Sequence, residues 1–165
     1  IPPWNFPLAI MAGKGLLPVV VGDVYKTALQ SRRVFYVTDN AGEIGFDTLL
    51  VTQLKKMGLN VTVAVKEPAY FEDAIQADAV FFNLNRTADK VVTVNKVFVP
   101  GKGKSAADLA FRRSDLVISK GTGNYDALRG ETQGKPAIYL LKIKCDPIAR
   151  DMGIREGRFV VKLDA

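Results

Sequence analysis

Four polar clusters in this chain carry side chains suited to phosphate or to a hard metal ion. They are Asp39-Asn40, Lys66-Glu67-Pro68 running on to Asp73, Ser119-Lys120-Gly121-Thr122-Gly123-Asn124, and Lys142-Ile143-Lys144-Cys145-Asp146. Each follows an apolar stretch. Asp39 and Asn40 offer an anionic and a neutral oxygen at one turn, enough to begin an oxygen-ligated cation site. An Asp in that place also serves as the N-cap of a following helix, so Asp39 taken alone leaves both readings open. Glu43, in the first helical turn, is accounted for by the helix dipole. Glycines at 121 and 123 free backbone N–H groups to face a phosphate, and they serve equally as an ordinary strand-to-helix turn. Lys120 and Lys144 come just after apolar strands, where a lysine either snorkels or meets an anion. Cys145 reads as a buried reduced thiol.

Composition narrows the chemistry further. The chain has no histidine and one cysteine, so triads built on histidine, disulfide frameworks and Cys-rich metal sites are excluded. A metal held here is held by carboxylate, amide and carbonyl oxygens, which suits Mg²⁺ or Mn²⁺. Twenty-three basic residues against 17 acidic ones give a net charge of +6. The basic residues are scattered, as at Lys55-Lys56 and Arg112-Arg113, and read as a solvated surface; this argues against a dedicated nucleic-acid module. Three motifs fail on their spacing. Gly101-Lys102-Gly103-Lys104-Ser105 ends like a phosphate-binding P-loop, but Phe98 stands where its first glycine belongs, which leaves a flexible basic loop. Asp39-Asn40-Ala41 has alanine where an aspartyl-phosphate phosphatase has its second acid. Gly13-Lys14-Gly15 lacks a strand and helix in the right order.

The elements that must position these groups alternate along the chain. Strands are predicted at 33–38, 60–65, 79–83, 91–94, 115–119, 136–142 and 158–163. Helices are predicted over Glu43–Met57, ended by Gly58, over Phe71–Ala77, Ser105–Arg113, Asn124–Arg129 and Pro147–Met152, and over Asp23–Ser31 with Asp23 as N-cap. Continuous apolar strands such as Val61–Val65 and Ala137–Leu141 suit a sheet covered on both faces. The pattern is an α/β, doubly wound, mostly parallel sheet with helices on both faces. In such a sheet the C-terminal strand edges lie on one side, so the four clusters are expected to converge on one crevice. At 165 residues and 48% hydrophobic the chain is sized for one domain. It has no apolar run of the roughly 18 residues a membrane span needs, and a soluble, cytoplasmic protein is expected. Residues 1–22 read as an N-terminal arm. An opening at Ile1 rather than Met suggests processing or a piece of something longer.

Three motifs together resemble one family. Asp39-Asn40-Ala41-Gly42-Glu43 with Phe46-Asp47, then Lys120-Gly121-Thr122-Gly123-Asn124-Tyr125-Asp126, then Lys144-Cys145 with Pro147 and Ala149, are similar to the metal-dependent damage-control phosphatases, long catalogued as domain of unknown function eighty-nine. The archaeal and bacterial members, with their ARMT-like domain, are the nearest in pattern. The resemblance implies a Rossmann-like domain over 23–165, with residues 1–22 as a remnant of a helical N-terminal domain that the family carries and this chain lacks. It implies a divalent metal (Mg²⁺, Mn²⁺, Co²⁺ or Ni²⁺) held by Asp39, Asn40 and an Asp of a later loop. Tyr70-Phe71-Glu72-Asp73-Ala74-Ile75 is similar to that loop and puts Asp73 on the third ligand. Glu72 stands where the family has Asn, Ile75 where it has Thr, and Asp126 where Glu is more common.

The activity implied is hydrolysis of phosphate monoesters of small metabolites, either sugar phosphates or damaged phosphometabolites. Asp39, Asn40, Asp73 and Lys144 are the expected catalytic residues, with Lys120, Gly121, Gly123, Asn124 and Asp126 on the substrate. Two rival readings stand beside it. One is carboxyl methyl transfer from S-adenosylmethionine, for which no distinctive cofactor loop is present. The other is a non-catalytic phospholigand- or nucleic-acid-binding module that exploits the positive charge.

Overall fold

Val34, Phe35, Tyr36 and Val37 are all buried, because their strand lies inside the sheet and is covered on both faces. The computed structural model describes residues 18–101 and 103–165. In chain order these form α1 (Pro18–Gln30), β1 (Arg33–Val37), α2 (Ile44–Lys56), β2 (Asn60–Lys66), α3 (Gln76–Phe81), α4 (Leu84–Thr87) and β3 (Lys90–Val94). Then follow α5 (Ala106–Arg113), β4 (Leu116–Lys120), α6 (Thr122–Leu128), β5 (Ala137–Lys142), α7 (Asp146–Met152) and β6 (Phe159–Asp164). Among these residues no helix is long and apolar enough to cross a membrane.

The strands make one sheet in the order β3-β2-β1-β4-β5-β6. The first five strands run parallel, and β6 closes the edge antiparallel to β5, with Ala137 opposite Asp164. Alternate side chains of β1 enter opposite cores. Val34 and Tyr36 pack with Ala28, Ile44, Val51, Leu54 and Ala79 on one face. Phe35 and Val37 pack with Ala107, Phe111, Tyr125 and Ile148 on the other. Phe35, Phe98 and Phe111 meet ring to ring at 4.9, 5.8 and 5.5 Å, inside the range where aromatic pairs add to simple burial.

Chain order reverses at β1, whose neighbours are β2 on one side and β4 on the other. Loops leaving β1 and β4 therefore diverge, and the crevice between them is where such sheets place ligands. Val37 lies opposite both Ala64 and Ser119. Two residues further along, this register brings Asp39 level with Lys66 and Gly121.

Several expectations are corrected. The run at 79–83 is not a strand: it lies in and just after α3, whose start is fixed by the Asp78 carboxylate accepting from the Ile75 N–H at 2.9 Å. No helix spans Phe71–Ala77, because residues 73 and 75 bridge to Asn40 and Lys66 in extended form. Asp23 lies inside α1 rather than capping it, since that helix begins at Pro18, a residue favoured in a first turn. Cys145 is exposed, not buried. Of the predicted arm, residues 18–22 form the first turns of α1. Residues 1–17, with Gly13-Lys14-Gly15, lie outside the described residues, as does Lys102 of the predicted basic loop.

Candidate active site

Asp39 is held at the sheet edge by its backbone, not by a helix-capping bond. Its carbonyl accepts from the Ala74 N–H at 2.7 Å, and the next residue but one, Ala41, donates to the Glu72 carbonyl at 2.8 Å. These bonds flank an isolated bridge between Asn40 and Asp73, so the three proposed ligands sit on two chain segments laced together. The N-cap of α2 is Glu43, which removes the capping role that competed for Asp39.

The Asn40 amide nitrogen donates to Asp39 at 3.1 Å and to Glu43 at 3.4 Å. Its oxygen is then the atom left to meet a cation. Burial, reinforced by the charges of Asp73 and Glu43, pushes the Asp39 carboxyl up to about 6, against the pull of Lys144 and Lys120. Burial also raises Asp73, partly offset by Lys66. Two carboxylates that resist ionisation beside an amide oxygen form a donor set short of positive charge, which fits a hard divalent cation. Among the described residues no three acidic or cysteine side chains are grouped so as to hold a metal ion by themselves. A cation here would complete its shell with water or substrate, as Mg²⁺ commonly does.

Asp39, Asn40, Asp73, Gly123, Asn124 and Lys144 all line one cleft of about 280 Å³. Lys144 is exposed and reaches in from the loop after β5. Gly121 acts by leaving room. Its φ is +84°, and a Cβ there would fall on the Asp39 carboxylate; its N–H is already spent on the Leu140 carbonyl at 3.0 Å. Asn124 spends both amide protons on the carbonyls of Thr38 and Lys120, each at 2.8 Å. The first i→i−4 bond of α6 runs from the Tyr125 N–H to the Gly121 carbonyl. The N–H groups of Thr122, Gly123 and Asn124 precede it and lack intrahelical partners.

Lys120 and Asp126 do not line the cleft. Lys120 turns toward α2, 2.8 Å from the buried Asp47 and 2.7 Å from Glu43. Burial would lower its pKa, but Asp47 and Glu43 outweigh that and hold it raised. Asp126 is exposed on α6, 3.4 Å from Arg129, and does not line the cleft.

Lys66 is the residue that sequence reasoning left without a role. It is 1% exposed, with its Nζ 3.2 Å from Asn124 Oδ1 and 3.6 Å from Asp73. Burial lowers its pKa, and Asp73 pulls the other way. The signal was present, since Lys66 ends the apolar run Val61–Val65 just as Lys120 and Lys144 follow theirs. Asp47, quoted in the first motif without a role, is only 3% exposed and accepts from Tyr36 Oη at 2.8 Å.

Known proteins resemble this chain in sequence and fold. The chain is 36% identical over 138 residues to a damage-control phosphatase of Archaeoglobus fulgidus, covering 82% of this chain and 48% of that protein. It is 29% identical to the damage-control phosphatase of Pyrococcus horikoshii, covering 84% of this chain and 49% of the other. The crystal structure of a DUF89 family protein from Pyrococcus horikoshii superposes with a TM-score of 0.78 at 28% identity, over 87% of this chain and 51% of that one. The chain thus spans about half the length of the curated relatives it matches. The model of the damage-control phosphatase ARMT1-like domain matches residues 17–160, from α1 to the start of β6, and the chain belongs to that family.

Proposed function

We propose that this chain carries a phosphatase centre that hydrolyses phosphate monoesters of small metabolites, sugar phosphates or damaged phosphometabolites, with a divalent metal (Mg²⁺, Mn²⁺, Co²⁺ or Ni²⁺). The observation that carries the reading is one cleft where two carboxylates of raised pKa, Asp39 and Asp73, face Lys66 and Lys144. An anion-seeking wall opposite a cation-seeking one is what a phosphate ester with a bound cation requires. The names of the relatives support the reaction class.

Asp39, Asn40 and Asp73 would hold the metal, which when bound polarises the phosphoryl group and lowers the pKa of a water. Lys66, fixed by Asn124, presents its charge from the cleft floor toward the phosphoryl oxygens. Lys144 reaches the same group from the rim and neutralises charge as the P–O bond to the alcohol breaks. The unspent N–H groups of Gly123 and Asn124 offer donors to the phosphate. Gly121 keeps the carboxylate of Asp39 close against the chain. Water enters, and the alcohol and inorganic phosphate leave.

The test is phosphate release from a panel of monoesters after chelation, with and without each of the four metals. Release that needs added metal supports the reading; equal release in chelator, or none from any ester, contradicts it.

A further inference from the structure

Phe71 stands at the cleft rim with 84% of its surface exposed. It occupies a turn closed by the Asp73 N–H donating to the Tyr70 carbonyl at 3.1 Å, and its φ is +48°. Left-handed backbone strains a bulky side chain, and glycine would hold this turn at no steric cost. The ring thus brings the fold neither burial nor a relaxed backbone. A residue kept against local preference at a cleft is a candidate for function.

Its surroundings say which part of a substrate it meets. Tyr70 packs edge-on against it, ring centroids 4.7 Å apart at 74°, and Val97 lines the same cleft. Asp73 is two residues further along the same turn, at most about 7 Å from Phe71 between Cα atoms. A phosphate held by Lys66 and by a cation at Asp39 and Asp73 has its ester substituent within reach of the Phe71 ring, which lines the same cleft.

We propose that Phe71, with Tyr70 and Val97, forms a platform for the ester substituent that favours phosphate esters of aromatic alcohols over those with open-chain substituents. A flat ring stacks on this surface and adds an aromatic contact. A polyol gives up water against these rings and gains no aromatic contact in return. Phosphate as the shared anchor rests on the phosphatase reading; the ring preference rests on the rim itself.

The experiment is calorimetric titration of the full chain, saturated with Mg²⁺, with phenylphosphonate and with methylphosphonate, neither of which can be hydrolysed. Phenylphosphonate is expected to bind about tenfold more tightly. In Phe71→Gly that ratio falls to within about twofold, methylphosphonate affinity is unchanged, and the Tm is unchanged or raised because the strained φ is relieved. Phe71→Leu, which keeps an apolar side chain without a ring, retains less than half of the preference. Equal affinities in the wild type, binding of neither probe, or a preference that survives Phe71→Gly overturns the platform. So does loss of affinity for both probes together with a lower Tm. If phenylphosphonate shows the expected preference while phenyl phosphate releases no phosphate, the phosphatase reading falls and the platform stands.

Discussion

Gly121 and Asp39 are packed so closely that no Cβ fits between them: one built on Gly121 would clash with all three atoms of the Asp39 carboxylate. The strand register explains this. With Val37 opposite Ser119, Asp39 comes level with Gly121 across the point where the sheet order reverses, and a φ of +84° turns the chain away into α6. Gly121→Ala both strains the backbone, by about 1–2 kcal/mol, and displaces a proposed metal ligand. The Tm is expected to fall by several degrees and metal affinity by at least tenfold, measured by thermal denaturation and by calorimetric titration with Mn²⁺. Loss of stability with unchanged metal affinity would separate Gly121 from the site.

Lys66 gives the opposite pattern. A buried charge with one carboxylate at 3.6 Å contributes little to stability, and an apolar side chain of similar volume replaces it at small cost. Lys66→Met is expected to leave the urea midpoint unchanged or raised. Phosphate release is expected to fall about a hundredfold in kcat/KM, as when one preorganised donor is lost from a reacting group. Steady-state kinetics beside urea denaturation makes the comparison.

Asp39 destabilises the metal-free fold at neutral pH. Its carboxyl titrates at about 6 against about 3.9 in an unfolded chain. The folded state therefore holds the proton to higher pH. The stability this confers is complete below about pH 4 and is lost as pH rises through 6. Asp39→Asn stays neutral throughout. Without metal it should be more stable than the wild type by about 1–2 kcal/mol at pH 7, after discounting for partial exposure, and no more stable at pH 4. Urea unfolding in chelator at the two pH values reads this directly.

Much of this arrangement is legible in the sequence. The apolar run that stops abruptly at Asp39 locates β1 and the edge where Asp39 sits, and the Ser119–Asn124 loop locates the facing edge. Short apolar runs without alternation do not tell strand from helix, and Ala79–Asn83 was misread for that reason. Its first three residues complete α3, whose start Asp78 fixes, with Ala79 alone buried and Val80 and Phe81 facing out. Sequence also does not say which way a lysine at a strand end turns. Lys66, Lys120 and Lys144 look alike in print, yet one lies under the cleft, one turns to Asp47 and one reaches the rim.

Lys120 follows from that distinction. Asp47 is 3% exposed, and Lys120 is its cation at 2.8 Å. Lys120→Met leaves a buried carboxylate uncompensated, with an expected loss of about 3 kcal/mol. Adding Asp47→Leu should recover much of it, so the double variant is more stable than the single one. A double-mutant cycle with coupling below about 0.5 kcal/mol would show that the pair does not hold α2 to β4.

The central claim is that Asp39, Asn40 and Asp73 hold the metal on which phosphate release depends. Its most direct measurement is the rate of phosphate release from one turned-over ester against Mn²⁺ concentration, in the wild type and in Asp73→Asn. The account predicts no release in chelator and saturable activation in the wild type. In Asp73→Asn it predicts half-saturation moved to at least tenfold higher Mn²⁺, with folding intact by circular dichroism. Unchanged half-saturation and rate in the variant would contradict it.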